Sequence, residues 1–141
     1  MQEIVVCAAK RTAIGSFLGA LKNTSAKNIA SELCKSLIEG LQIDSNHIDQ
    51  LILENVLQSG LGQNIARQVQ VLLESKIPPD KTAFVVNMVC GSGLKAVQLA
   101  HDSIKLGYSS MIISGGVENM SMSPFLLENV RNGYRMGHTN T

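Results

Sequence analysis

Apolar residues are grouped along the chain in two alternating patterns. Continuous apolar runs, typical of strands covered on both faces, lie at residues 3–9, 50–57, 82–89 and 110–114. Apolar residues spaced three or four apart, which form one face of a helix, lie at residues 25–39, from 65 onwards and at 92–106. Alternating strands and helices build a mostly parallel sheet covered by helices on both faces, so the predicted fold class is α/β.

Small and polar residues mark the predicted ends of these elements. Thr24 or Ser25 is expected to cap the first helix, and Gly40 is expected to end it. Gly107 is expected to end the helix at 92–106, and the glycine pair at 115–116 to end the last strand. The second helix is predicted to bury one face, formed by Ile65, Val69, Leu72 and Leu73.

A cysteine stands where the strand at 82–89 changes into a helix. Gly91 and Gly93 are expected to relieve the backbone of this sharp turn, and Ser92 is expected to cap the helix. Cys90 then lies at a helix N-terminus, where free N–H groups and the helix dipole favour thiolate over thiol. The same spacing also suits a small buried residue at a tight junction, so both a nucleophile and a packing role stay open.

Composition narrows the function classes without choosing one. The 141 residues are 45% apolar and 16% charged, which is typical of a globular domain. A net charge of +1, two tyrosines, three phenylalanines and no tryptophan argue against nucleic-acid binding, and no apolar run has the length of a membrane span. Three widely spaced cysteines predict neither a disulfide framework nor a metal site, and without a targeting signal a cytoplasmic protein is expected.

Most other reactive side chains have an ordinary structural interpretation. Cys7 in the first strand and Cys34 on the apolar face of the first helix are expected to be buried packing residues. Lys10 and Arg11 follow the first strand, at the sheet edge where ligands of open α/β folds gather, and solvated cations fit there as well. His47 is predicted to be a polar loop residue.

A cysteine nucleophile needs a proton acceptor, and spacing alone does not supply one from the histidines downstream. His101 lies 11 residues after Cys90 on the same predicted helix, about 16 Å away at ~1.5 Å per residue. His138 belongs to the polar segment at 118–141, which is predicted to be a loop or an arm. It would reach Cys90 only where that segment folds back.

Five stretches of the chain, in order, resemble motifs of the thiolase family, in particular of its acetyl-CoA acetyltransferases. The run Val-Asn-Met-Val-Cys-Gly-Ser-Gly-Leu-Lys-Ala-Val at 86–97 resembles the acyl-enzyme cysteine signature of that family. The other four stretches lie at 11–15, 60–68, 115–121 and 131–137, and the last is similar to the oligomerisation arm of thiolases.

The resemblance implies a thiolase-like layered fold that is incomplete. Residues 1–117 would form an amino-terminal α/β domain lacking its last strand, and residues 118–141 would begin the loop region and the arm. The implied reaction is an acyl transfer that condenses two acetyl-CoA to acetoacetyl-CoA and CoA, or the reverse thiolysis. Cys90 would carry the acyl group, with its own N–H as oxyanion donor. Coenzyme A thioesters would be substrates, and no metal or further cofactor is implied.

The chain also departs from the family pattern. The second half of a thiolase supplies a histidine in Gly-His-Pro, an asparagine in Asn-Glu-Ala and a second cysteine, and these motifs do not occur here. Ile65 stands where the family commonly has proline, a change of small expected cost at a helix start. The resemblance therefore implies a partner, either further copies in a homo-oligomer or a chain that carries a carboxyl-terminal half.

Three functional hypotheses follow. The chain is the amino-terminal part of a thiolase and inactive alone, or one component of an enzyme completed by another chain, or a non-catalytic remnant that binds a partner through an exposed sheet edge and its arm. Ketoacyl synthases and hydroxymethylglutaryl-CoA synthases use a cysteine on a similar turn, but the motifs at 115–121 and 131–137 favour thiolases.

Overall fold

Three parallel strands and three α-helices alternate along the part of the chain that the structure describes. A computed structural model describes residues 3–73, 76–128 and 130–133. In these ranges the elements are α1 Ala26–Leu41, β1 Gln50–Glu54, α2 Ile65–Leu72, β2 Thr82–Val86, α3 Ser92–Lys105 and β3 Ile112–Gly116. The strand order is β2-β1-β3, so the connection through α3 passes over β1. The predicted α/β class is confirmed.

The central strand, β1, is buried on both faces. Leu51 and Leu53 point into a large apolar cluster that also contains Val69 of α2 and the buried face of α1. Ile52 points to the opposite face, where it packs against Ala96 of α3 in a smaller cluster. A continuous apolar run is what such a strand needs, because neither face meets water.

Helix α1 begins as predicted and ends two residues later than predicted. Ser25 is the N-cap, and its hydroxyl accepts the N–H of Asn28 at 3.4 Å. The helix continues through Gly40 and stops at Gln42, whose φ of +50° is left-handed. Gly40 leaves room instead for the amine of Lys10, which would lie 3.0 Å from a Cβ at that position. The prediction that Gly40 ends the helix is therefore wrong.

Lys10 binds α1. Its amine donates to the carbonyl oxygen of Ser36 at 2.7 Å and to the hydroxyl of the same residue at 2.9 Å. A cation near the carboxyl half of a helix is stabilised by the helix dipole. The contact with α1 gives Lys10 a structural role. Arg11 donates to the carbonyl of its neighbour Thr12.

Helices α2 and α3 follow most of the predicted pattern. Ile65 and Val69 of α2 are buried, but Leu72 is largely exposed, so only part of the predicted apolar face is confirmed. Leu73 is buried one residue after the helix ends. Gly107, with a φ of +78°, follows the end of α3 as predicted.

Residues 3–9 do not form the predicted strand. They lie outside the three-stranded sheet, and Val5, Val6 and Cys7 are exposed, with Val6 at 83%. An apolar run becomes a strand only where its backbone pairs with a neighbouring strand, and within the described residues neither β1 nor the outer edge of β2 or β3 pairs with residues 3–9. The prediction of a buried packing role for Cys7 is wrong for the same reason.

The other strands are present but shorter or displaced. Strands β1 and β2 end at Glu54 and Val86, before the ends of their apolar runs. Strand β3 includes the glycine pair at 115–116 that was expected to end it, because these residues pair with Leu53 and Glu54 of β1. Glycine is needed inside this strand, since the side chain of Glu54 lies over Gly116.

The residues that follow β3 contact the body of the domain. Asn119 donates its side-chain amide to the carbonyl oxygens of Leu21 and Thr24 at 3.1 and 2.7 Å. The hydroxyl of Ser121 accepts the N–H of Leu18 at 2.9 Å. The domain boundary after residue 117 stays a prediction, and Arg135 and His138 lie outside the described residues.

One carboxylate joins the beginnings of the three strands. Asp49, directly before β1, accepts the N–H groups of Ser110 and Met111 at 2.7 and 3.4 Å, and the amine of Lys81 at 3.1 Å. These contacts, with the Ser110 N–H foremost and Lys81 next, lower the pKa of Asp49 from its ordinary value of 3.8. The carboxylate therefore fixes the start of all three strands.

We expect Asp49→Asn to lower the free energy of unfolding by about 1 kcal/mol at pH 7, a value that allows for solvent competition at this partly exposed group. A lowered pKa adds stability above the unfolded-state pKa, and that contribution is lost as the pH falls through the folded-state value. The difference between wild type and variant in urea unfolding should hence shrink between pH 5 and pH 3. An equal difference at both pH values would contradict this assignment.

Candidate active site

The connection from β2 to α3 is a short elbow tied by hydrogen bonds. Strand β2 ends at Val86 and α3 begins at Ser92, with Gly91 as its N-cap. The hydroxyl of Ser92 accepts the N–H of Met88 at 2.7 Å and donates to the carbonyl of Val89. Ser92 is fully buried. Its predicted role as helix cap is wrong, because the hydroxyl closes the elbow.

The residue with left-handed backbone in the elbow is Val89 and not a glycine. Val89 has a φ of +51°, in the left-handed region that costs a β-branched residue about 1–2 kcal/mol. Gly91 has a φ of −87°, open to any residue. A Cβ there would lie 2.6 Å from the Cε of Met88, which is the far end of an exposed, flexible side chain and can turn away. The left-handed residue of the turn is thus Val89 and not one of the two glycines.

Cys90 projects from this elbow into solvent. The thiol is exposed, and the residue directly precedes the N-cap of α3. Around it, the side-chain amide oxygen of Asn87 accepts the N–H of Val89 at 3.1 Å, and its amide nitrogen donates to the carbonyl of Val56 at 3.1 Å. Exposure on a fixed turn argues against a packing role and suits a nucleophile.

A cavity of about 520 Å³ opens beside the thiol. Its walls are mostly apolar, and they contain two carboxylates besides Cys90. The lining residues are Glu54, Val56, Leu57, Val89, Cys90, Gly93, Glu118 and Met120. A cavity of this kind takes a partly apolar small molecule with a few polar groups. A neighbouring cavity of about 330 Å³ shares the two carboxylates and borders residues 12–17.

Three N–H donors hold the side chain of Glu118 in place. It accepts the backbone N–H groups of Val56 and Leu57 at 2.9 and 3.2 Å, and the side-chain amide of Asn55 at 3.3 Å. Asn55 is fully buried and also donates to the carbonyl of Val117 at 2.9 Å. Its amide oxygen has no hydrogen-bond partner among the described residues. These contacts fix Glu118 at the cavity wall.

Glu54 is the other carboxylate of the cavity. It ends β1 and is half-buried. Burial raises its pKa, and the negative charge of Glu118 raises it further. Sequence reasoning missed both acidic residues as site candidates. A charged side chain at the carboxyl end of a buried parallel strand was the available signal for Glu54, and the motif at 115–121 contains Glu118.

The histidines with described structure lie away from the Cys90 cavity. His101 is half exposed on α3, with its Nδ1 3.1 Å from the carboxylate of Asp102. His47 lies in a short turn near Asp44, as predicted for a loop residue. Neither residue lines the cavity. The expectation that His101 does not serve Cys90 is consistent with this placement.

The remaining cysteine has the predicted packing role. Cys34 is buried in the cluster under α1, and burial raises the pKa of its thiol to about 11. No group of three or more potential metal ligands occurs within residues 3–73, 76–128 and 130–133. In the same ranges, no helix has both the length and the apolar character of a membrane span.

Comparison with known proteins adds an independent result. The family model for the thiolase N-terminal domain matches residues 4–141 of this chain. An acetyl-CoA acetyltransferase of Escherichia coli is 50% identical over 138 residues, which are 97% of this chain and 34% of the relative. A probable acetyl-CoA acyltransferase of Staphylococcus aureus is 44% identical over 98% of this chain and 35% of its own length.

A solved structure agrees with the sequence matches. The crystal structure of the acetyl-CoA acetyltransferase of Bacillus anthracis has a TM-score of 0.82 at 31% identity, over 89% of this chain and 32% of that protein. The chain thus spans about a third of the length of the relatives that it matches.

Proposed function

Since the chain belongs to the thiolase family, an enzyme family, we propose that it carries the acyl-accepting half of a thiolase active site, with Cys90 as the residue that takes the acyl group. The observation that carries this proposal is an exposed thiol on a fixed strand-to-helix elbow beside a mostly apolar cavity. The relatives named as acetyl-CoA acetyltransferases make acetyl-CoA the first substrate to test.

The proposed reaction is a thioester exchange. The Cys90 thiol loses its proton, and its sulfur forms a bond to the carbonyl carbon of acetyl-CoA. The bond from that carbon to the coenzyme A sulfur breaks, and coenzyme A takes up a proton and leaves as a thiol. The N–H of Cys90 would stabilise the negative oxygen of the intermediate. The surrounding N–H groups of Met88, Val89 and Ser92 donate within the elbow, which holds the backbone of Cys90 in place.

The complete reaction of the family would need further groups. Condensation of two acetyl units, or thiolysis of acetoacetyl-CoA, also requires proton transfer at a carbon atom. We propose that a second chain or a carboxyl-terminal half supplies this chemistry, with assembly as a homo-oligomer in the cytoplasm. No metal or further cofactor is proposed.

Acylation of Cys90 is tested by mass spectrometry. After exposure to acetyl-CoA and acid quenching, the intact chain should gain one acetyl group, and peptide mapping should place it on Cys90. Cys90→Ser should not form this thioester. Cys7 is also exposed, so Cys7→Ser is the matched control and should still be acetylated. An unmodified wild-type chain, or acetyl found on Cys7 alone, would refute the proposal.

A second candidate, the non-catalytic binding module, is favoured by the exposed apolar surface. Val5, Val6, Leu94 and Phe125 are all exposed to at least 65%. Exposed apolar side chains of this size are available for contacts with another chain. Wild-type chain that stays unacetylated and still binds a carboxyl-terminal thiolase half would support this module in place of the acyl transferase.

A further inference from the structure

The peptide bond between Val89 and Cys90 is fixed through its carbonyl oxygen. This oxygen accepts two donors of one residue, the N–H of Ser92 at 3.0 Å and its hydroxyl. The N–H of the same peptide belongs to Cys90 and makes no hydrogen bond within the described residues. The C=O and N–H groups of a planar trans peptide point in opposite directions, so the Cys90 N–H points away from the buried Ser92. Val89 and Cys90 line the Cys90 cavity, and this open donor therefore lies at its wall.

Val89 holds this peptide in a conformation that its own side chain disfavours. Its φ of +51° is left-handed, which is rare for a β-branched residue. The side chain is 63% exposed, so its packing does not compensate for the strain. Polar side chains bind the backbone on both sides instead: the amide oxygen of Asn87 accepts the Val89 N–H at 3.1 Å, and the Ser92 hydroxyl donates to the Val89 carbonyl. Strain that is kept by such contacts is typical of functional sites.

Both of these polar side chains are anchored in turn. Ser92 is fully buried, and its hydroxyl also accepts the N–H of Met88 at 2.7 Å. Asn87 donates its amide nitrogen to the carbonyl of Val56, just after the neighbouring strand β1, at 3.1 Å. Hydrogen bonds in a chain polarise one another, so the hydroxyl that binds the Val89 carbonyl also makes the N–H of that peptide a stronger donor.

We propose that Ser92 and Asn87 are positioning residues, which set the Val89–Cys90 peptide so that the Cys90 N–H is in place for an oxyanion before an acyl donor binds. This inference rests on the proposed function of Cys90. As the sulfur attacks a carbonyl carbon, the π electrons of the C=O bond move to its oxygen, and an N–H that is already fixed binds this charge without reorganisation. The double bond then forms again and the leaving group departs. The proton that it takes up balances the one lost by the thiol.

The test compares two reactions of Cys90 on a Cys7→Ser background, with the modified Cys90 peptide measured by mass spectrometry. Acetyl transfer from p-nitrophenyl acetate passes through an oxyanion and needs no recognition of coenzyme A, whereas alkylation by iodoacetamide forms no oxyanion. Ser92→Ala and Asn87→Ala should each slow acetyl transfer by at least about 10-fold, part of the roughly 10²–10³-fold loss that follows removal of an oxyanion donor. Both variants should alkylate within about twofold of the background, since the nucleophile itself is unchanged.

Ser31→Ala is the matched control, because it removes the hydroxyl of another buried serine, which donates to the carbonyl of Asn28 at 3.0 Å. It should keep both rates, and circular dichroism checks the fold of each variant. Asn87 is exposed, so Asn87→Ala tests the inference even where Ser92→Ala does not fold.

Selective loss of acetyl transfer from p-nitrophenyl acetate would support the inference. The same loss, in a chain whose Cys90 is not acetylated by acetyl-CoA, would support the inference and refute the proposed function. Unchanged acetyl transfer in either folded variant, or a loss shared equally with alkylation, would overturn the inference even where acetyl-CoA acetylates Cys90.

Discussion

Thiolysis of acetoacetyl-CoA by this chain alone is expected to be at least about 10⁴-fold slower than by a full-length acetyl-CoA acetyltransferase. The carbon–carbon bond breaks when the Cys90 sulfur attacks the keto carbon, so a second group must deliver a proton to the carbon of the acetyl-CoA that leaves. Coenzyme A then takes the acetyl group from Cys90. Among the described residues, the Cys90 cavity offers the carboxylates Glu54 and Glu118, with no histidine and no second thiol. Glu118 is already engaged by three N–H donors.

The measurement is the loss of acetoacetyl-CoA absorbance in the presence of coenzyme A. A full-length acetyl-CoA acetyltransferase assayed in parallel is the positive control. Acetylation of Cys90 should still occur, since that half-reaction requires only one proton carrier. Steady turnover that disappears in Cys90→Ser would show that this chain holds a complete active site, contrary to our expectation.

Most helices and strands were predictable because buried apolar residues recur at a regular spacing along the sequence. The spacing of Ile29, Leu33 and Leu37 around the buried positions of α1 identifies a helix, and the run in β1 identifies a strand covered on both faces. Residues 3–9 carry the same apolar signal without the same structure. A sequence states that a segment is apolar, but not whether a partner strand lies beside it.

Single residues in the elbow were harder to predict than the elbow itself. A cysteine followed by Gly-Ser-Gly predicted the turn, and the structure confirms a strand, a turn and a helix there. Gly91 and Gly93 were expected to relieve the backbone of the turn, whereas the residue with left-handed backbone there is Val89. The buried Ser92 hydroxyl and the network around it hold Val89 in a conformation that its own side chain disfavours.

The position of Glu54 in the candidate site depends on the pairing register of β1 and β3, which the sequence does not give. Glu54 pairs with Gly116 across β1 and β3, and this places its side chain over a residue that has none. A shift of the register by one residue would pair Glu54 with another residue and place its side chain on the other face relative to β3. Cys90 was visible from its motif, whereas Glu54 becomes a candidate only when the three strands are aligned.

Gly116→Ala is expected to destabilise the fold by about 2 kcal/mol. The new methyl group would occupy the place of the Glu54 Cγ, so either the Glu54 side chain leaves the cavity or β3 moves away from β1. Either response loses packing or strand pairing at the end of the sheet. Urea unfolding of wild type and variant gives the change in stability.

The neighbouring glycine provides the matched control for Gly116→Ala. A Cβ on Gly115 meets nothing within 4 Å, so Gly115→Ala should change the stability by less than about 0.5 kcal/mol. Glu54→Ala removes all three atoms that the new methyl group would strike. The double variant, compared with Glu54→Ala alone, should therefore recover most of the stability lost in Gly116→Ala. No recovery would mean that the loss comes from the backbone of β3 and not from the contact with Glu54.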